Sequence, residues 1–369
     1  MKVVQILPEL NAGGVERGTL EVAAHLVREG HEAIVISNGG RQVPALEASG
    51  ATHFTLPVHR KSLASLLQVR PLRRFLNEQR PDILHIRSRV PGWIAWLAWR
   101  GMDPATRPRL VSTVHGFYSV NRYSAVMTRG QRVIAVSESI RDYIQENYPA
   151  TPSEIIRVIH RGVDTTILQP SYEAPAEWLE DWQQTYPQLK DRLLLLMPGR
   201  LTRWKGQQDF LHVIAKLLAL GHPVHGLIAG EPHPKKIAFG DELRELATTL
   251  KVTDHVTFLG HRSDLREVMS VAALVFSLSR VPEAFGRVSL EAMALGKPVV
   301  GYDHGGVGEQ LSAIFPVGKA LAGDIDAAVC CSCEILRENH RPGSVDDFSL
   351  DKMLVSTLEV YQSVLASPR

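Results

Sequence analysis

"RLLLLMPGRLTRWKGQQDFLHVIAKLLALGHPVHGLIAG", residues 192–230, contains the pattern that governs the whole chain. Its first run is continuously apolar, as suits a parallel strand buried on both faces. A basic loop bracketed by Gly199 and Gly206 follows. Apolar spacing then predicts a helix over 206–220, and a second apolar run occupies 224–230. Strand, helix and strand in that order specify a parallel α/β unit.

The same rhythm extends outward in both directions. Before residue 170 the strand-like runs are KVVQIL (2–7), HEAIVIS (31–37), DILHIR (82–87), RLVSTVHG (109–116), RVIAVS (132–137) and IRVIHRGVD (156–164). Beyond the opening unit come HVTFLG (255–260), ALVFSLS (273–279) and KPVVGYD (297–303). Helical spacing lies between them, as at 17–29, 241–250 and 287–295. Residues 164–190 carry prolines at 170, 175 and 187 and no strand, so they read as a connection. The expected architecture is two doubly wound domains, 1–168 and 169–349, facing each other across a cleft. A C-terminal helix in 350–369 is expected to pack back on the first domain.

Bulk properties fit that reading. The 369 residues are 44% hydrophobic and 22% charged, ordinary for a soluble globular protein. No apolar run reaches the ~18–20 residues of a membrane-spanning helix. The N-terminal run is too short and unflanked for a signal peptide, so a cytoplasmic protein is expected. Cys330, Cys331 and Cys333 are the three cysteines, too few for a four-cysteine metal site, and read as small helix residues. Trp93, Trp96 and Trp99 read as core packing. The net charge of +2 conceals an asymmetry: residues 1–170 hold 21 Lys+Arg against 14 Asp+Glu, and the remainder 20 against 25. The arginine-rich first half favours an anionic partner.

Ligands of doubly wound sheets bind beyond the carboxyl ends of the strands, so the residues there are the candidates. Gly13-Gly14 follows the first strand, where backbone amides at a helix start favour an anion. It is not G-x-G-x-x-G, and a tight turn would use the same pair. His115 ends a strand and reads equally as a structural histidine or a donor to a sugar hydroxyl. Arg200 and Lys205 offer a planar fork and a point charge, as a diphosphate requires. Further on, "PEAFGRVSLEAMALGKPVVGYDHGGVGE" (282–309) places Glu283 in a loop and Glu291 on a helix. A helix-like rise would separate them by about 12 Å, too far to share a metal but suited to two parts of one ligand. Gly305-Gly306 forms a second backbone cradle.

With these residues in place the chain resembles the retaining glycosyltransferases of family 4, which have the GT-B fold. The likeness rests on "NAGGVERG", "TVHG", "RVIAVSESI", "RGVD", "GRLTRWKG", "FLGHRSDL" and the 282–309 stretch. It implies that Glu291 holds the donor ribose hydroxyls, and that Arg200 and Lys205 neutralise the departing diphosphate. It also implies that Glu283, Phe285 and Gly286, with the 305–309 backbone, lie against the donor sugar. Gly13 and Gly14 would approach the phosphates, His115 the transferred sugar, and Arg262 the base. The catalytic set would be Glu283, His115, Arg200 and Lys205. No cofactor is implied beyond a nucleotide-sugar donor, best read as a UDP-sugar; no metal is needed, and no D-x-D motif is expected in the chain. Arg161 in "HRGVD" departs from the family, where Asn is common.

The resemblance extends to enzymes of lipopolysaccharide and cell-envelope glycan assembly, which implies a glycan or glycolipid acceptor and no nucleic acid. Leu63, Leu66 and Leu67 with Arg70, Arg73 and Arg74 suit an amphipathic helix at an anionic membrane face, or an ordinary surface helix. Two other classes stay open: a nucleotide-sugar 2-epimerase-like isomerase and a non-catalytic nucleotide-sugar-binding protein.

Overall fold

The computed structural model describes residues 1–11, 13–232 and 238–368, without the Leu63 side chain. It divides into two compact units, Met1–Gly162 with Leu350–Arg369, and Val163–Ser349. The first boundary therefore falls at Gly162, ahead of the expected 168.

The first unit is built on seven strands: β1 (Lys2–Ile6), β2 (Glu32–Ser37), β3 (Thr52–Thr55), β4 (Ile83–Ile86), β5 (Arg109–Val114), β6 (Arg132–Ala135) and β7 (Ile156–Val158). They form one parallel sheet in the order β3-β2-β1-β4-β5-β6-β7. The chain runs outward from β1 to β2 and β3, then returns to the other side of β1 at β4, in register Val4↔Leu84. That reversal opens a crevice beyond the ends of β1 and β4. β3 was not expected. Its residues THFT are exposed or half-buried at the sheet edge, so no apolar run marks it.

Helix Leu350–Ala366 completes this unit. Tyr361 on it is fully buried, and its hydroxyl lies 2.7 Å from Nδ1 of His85 on β4. Elsewhere the sequence expectations shift. The proposed amphipathic helix is a 3₁₀ turn, Leu63–Gln68, leading into helix Val69–Gln79. Leu66 and Leu67 are exposed, but Arg73 Nε donates to the Ala98 carbonyl at 3.2 Å, which removes it from a cationic face. Trp93, Trp96 and Trp99 are half-buried rather than core. Arg129 covers the Trp96 ring at 4.2 Å and Arg107 the Trp99 ring at 3.6 Å.

The second unit repeats the plan with β8 (Leu193–Pro198), β9 (Val224–Ala229), β10 (Val256–Gly260), β11 (Leu274–Ser277), β12 (Val299–Tyr302) and β13 (Lys319–Ala320). All pairs are parallel, in the order β10-β9-β8-β11-β12-β13. The reversal here lies between β8 and β11. β13 spans two residues, too short to show in a hydrophobic pattern. The connecting stretch 164–190 contains a helix, Ala176–Thr185, whose Trp182 is buried. Among the described residues no helix is long and apolar enough to cross a membrane.

Candidate active site

Beyond β8 the loop from Gly199 to Gly206 carries both expected cations. It is pinned by Leu201 N donating to Glu231 O at 3.1 Å and by the turn Lys205 N to Thr202 O at 3.0 Å. Gly206 has φ 84°, and a Cβ there would strike the Leu278 carbonyl. Only glycine lets the loop after β8 come this close to the loop after β11. The approach brings Lys205 to Glu283: Nζ donates to Oε1 at 2.8 Å, both side chains being about four-fifths buried. Ser279 Oγ donates to the same oxygen. Glu283 thus accepts from a cation and a hydroxyl supplied by the two loops that flank the reversal.

Arg200 is exposed and its guanidinium shows no hydrogen bond or ion pair among the described residues. It lines a cavity of ≈ 400 Å³ with Gly199, Gly230, Glu231, Arg262 and Val288. Arg262 is oriented by Asp264, to which its Nε donates at 2.8 Å, and Asp264 also accepts from Trp178 Nε1 at 2.7 Å. Glu291, on helix Arg287–Ala294, receives Arg287 Nε at 3.3 Å, one turn back.

The supporting layer is buried. Asp209, with no exposed surface, accepts from Tyr302 Oη at 2.8 Å and from Arg280 Nε at 2.9 Å. Burial, and then Asp209 itself, pushes the Tyr302 phenol well above its ordinary value. This fixes β12 and the segment after β11 to helix Gln207–Ala219. Gly305, at φ 58°, and Gly306 leave no room for side chains: a Cβ on either would meet the backbone of Glu283 or Phe285. Gly306 N donates to Glu283 O at 2.8 Å. The glycine pair therefore holds the 283–286 loop against helix Gly305–Ile314.

In the first unit Gly13 precedes helix Gly14–Arg28, and a Cβ at Gly14 would meet nothing within 4 Å. His115 follows β5. Its Nδ1 lies 2.5 Å from Arg161 Nη2, so Nδ1 must accept, because a guanidinium only donates. Burial, then Arg161 and Arg87, hold its pKa well below the ordinary imidazole value. The ring is neutral with its proton on Nε2, which is buried and has no hydrogen-bond partner among the described residues.

Two family models match the chain: Glycosyltransferase Family 4 over residues 12–167, and Glycosyl transferases group 1 over 180–315. The chain is 30% identical to an alpha-maltose-1-phosphate synthase of Mycolicibacterium smegmatis, with 76% of each chain covered. The chain belongs to glycosyltransferase family 4. A solved glycosyltransferase from Rickettsia africae shares 28% identity with a TM-score of 0.85, covering 100% of this chain and 99% of that one. The Anabaena protein HepE, solved in complex with UDP, has a TM-score of 0.80 at 22% identity, covering 98% and 100%. The two parallel-sheet units have the GT-B fold.

Against this family 4 framework the expected site residues sort unevenly. Gly199, Arg200 and Arg262 share the cavity wall, while Lys205 and Glu283 meet beside it in the same unit. Gly13, Gly14 and His115 belong to the first unit. The Phe285 side chain is 6% exposed and packs in the core, its ring centroid 6.2 Å from that of Phe348. Asp324-Ile325-Asp326 is a D-x-D sequence, against the expectation of none. Asp324 caps helix Ile325–Glu338 by accepting from Ala327 N at 2.9 Å, and Asp326 pairs with Lys216. Ser279, Arg287 and Asp209 carry parts of the site that the sequence reading passed over. Ser279 had a visible signal, since it closes the β11 run.

Proposed function

We propose that this family 4 enzyme transfers a sugar from a UDP-sugar to a glycan or glycolipid of the cell envelope, with retention of anomeric configuration and without a metal ion. The observation that carries the reading is the Lys205–Glu283 pair at 2.8 Å beside an unpaired Arg200, at the reversal of the second sheet. A departing nucleoside diphosphate develops charge that fixed cations stabilise without reorganising. Arg200 is free to take phosphate oxygens bidentately. Lys205, held by Glu283, supplies a positioned ammonium, and Glu283 keeps its second oxygen for a sugar hydroxyl. Glu291 suits two ribose hydroxyls, since a carboxylate only accepts. The neutral His115 offers Nε2–H to a sugar oxygen. The UDP bound to the Anabaena relative of like fold supports uridine as the base.

The arginine-rich first half supports an anionic acceptor or surface, and exposed Leu66 and Leu67 beside Arg70 and Arg74 support peripheral contact with an anionic membrane. Thermal shifts test the donor assignment. UDP at 100 times its Kd should add about 2.7 kcal/mol of stability, and UMP much less; equal shifts would remove the diphosphate role from the 199–206 loop. Turnover should survive EDTA, and the product anomer, read by NMR, should match the donor. An epimerised UDP-sugar formed without acceptor would favour the isomerase reading instead.

A further inference from the structure

Substrates of a parallel sheet bind beyond the carboxyl ends of its strands. A second cavity of the first unit, of ≈ 300 Å³, lies at the opposite end, where β5 and β6 begin. Pro104, Ala105, Arg107, Pro108, Arg109 and Gln131 form its wall. Trp99 Nε1 donates to the Pro108 carbonyl at 2.7 Å, and the Arg107 guanidinium lies over the Trp99 ring at 3.6 Å. That guanidinium has no hydrogen bond or ion pair among the described residues. Arg109 is 8% exposed; its Nη1 donates to the Pro368 carbonyl at 3.2 Å and its Nη2 to the Ser367 carbonyl. Gln131 Oε1 accepts from Leu110 N at 3.0 Å, which leaves its amide nitrogen, a pure donor, without a partner among the described residues. Next to it in the chain, Arg132 Nε is buried with no hydrogen-bond partner among the described residues.

The unspent groups are all donors, and none of Arg107, Arg109 and Arg132 has an ion pair among the described residues. Carboxylates on the adjoining segments are turned elsewhere. Asp82 Oδ2 accepts from Lys2 N at 2.7 Å, and Asp103 Oδ1 accepts from Ala105 N at 2.9 Å. The tail carbonyls give Arg109 hydrogen bonds but no counter-charge, and a buried guanidinium without an anion is costly. Phosphate offers more acceptor oxygens and more charge than a carboxylate, so it can use both guanidinium groups and the amide together.

We infer that this cavity binds a small phosphorylated molecule, with its phosphate on Arg107, Arg109 and the Gln131 amide and its carbon frame against Pro104 and Pro108. The site stands at the amino-terminal ends of β5 and β6, whereas His115 follows the carboxyl end of β5. Its ligand is therefore an effector that binds alongside the substrates, not one of them.

Inorganic phosphate and glycerol 3-phosphate are the probes, titrated by thermal shift into the full chain with and without saturating UDP. The expected result is a saturable rise in Tm that persists with UDP present, the ester binding at least as tightly as the free ion. Arg107→Gln should weaken both probes by about tenfold or more, the loss of one charged hydrogen bond. Gln131→Glu should do the same, because it keeps an acceptor for Leu110 N but replaces the donating amide with an anionic oxygen. Using both guards against one variant failing to fold, and the UDP shift should be unchanged in each. Four results overturn the proposal: a rise that never saturates, as an excluded salt would give; a response that UDP abolishes; an ester that binds more weakly than phosphate; or full response in either folded variant.

Discussion

At the reversal of the second sheet, Lys205 meets Glu283 at 2.8 Å; at the reversal of the first, Arg87 meets the neutral Gln5 at 3.1 Å and leaves two nitrogens unbonded. Both cations follow the strand ends that the doubly wound topology sets apart for ligands. The second unit pairs Lys205 internally, while the exposed Arg200 on the same loop has no hydrogen bond or ion pair among the described residues. In the first unit Arg87 Nε and Nη2 are buried without a hydrogen-bond partner among the described residues. The two cations flank their reversals from opposite sides, Lys205 on the loop after β8 and Arg87 directly after β4.

The largest test of that contrast is kinetic. Arg200→Ala should lower kcat by about 10²–10³-fold, the cost of removing one transition-state donor, with Tm unchanged because the side chain is exposed and unpaired. Lys205→Ala should lower kcat comparably and also lower Tm, since it strips Glu283 of its partner. If the two variants lost equal stability, the distinction between free and paired cation would fail.

Acidification should act on the first unit through two histidines. Burial, then Arg87 and Arg161, hold His85 well below the ordinary value, as burial and the same arginines do for His115. Folded pKa values below the unfolded value mean that their contribution is complete above about pH 6.5 and is lost as pH falls from there. Each can add a slope of up to about 1.4 kcal/mol per pH unit. Urea midpoints that stay level from pH 7 to 5 would show that neither ring is held neutral. His225 in the second unit, pushed down to about 4 chiefly by burial, should contribute in the same direction.

Tyr361→Phe should cost about 1–2 kcal/mol, because it leaves the buried His85 Nδ1 without its partner. A neutral result by denaturant unfolding would mean that helix Leu350–Ala366 is held by apolar packing alone. The smallest effect is expected on helix Val69–Gln79. Arg73→Ala should cost about 1 kcal/mol through the lost bond to the Ala98 carbonyl. Arg74→Ala, which removes only an exposed pair with Glu78, should leave the midpoint where it was.

Sequence alone determined the local layer. Continuous apolar runs mark strands buried on both faces, so eleven strands announced themselves, while edge strand β3 and two-residue β13 did not. Helical spacing over 206–220 and 350–366 located helices Gln207–Ala219 and Leu350–Ala366, and the glycine-bracketed loop marked Arg200 and Lys205 as candidate ligand groups. The tertiary structure decided what those residues face. Lys205 and Glu283 are 78 positions apart and meet because β8 and β11 are neighbours, a strand order that periodicity does not encode. Phe285 lies in the same motif as Glu283 but turns into the core, since the glycine pair presses its loop against a helix. Gly18, Arg87 and Arg161 come from three distant segments and converge only when β1, β4 and β7 share a sheet. Burial pattern is a property of each segment, whereas the pairing of a charge depends on which loops the strand order brings together.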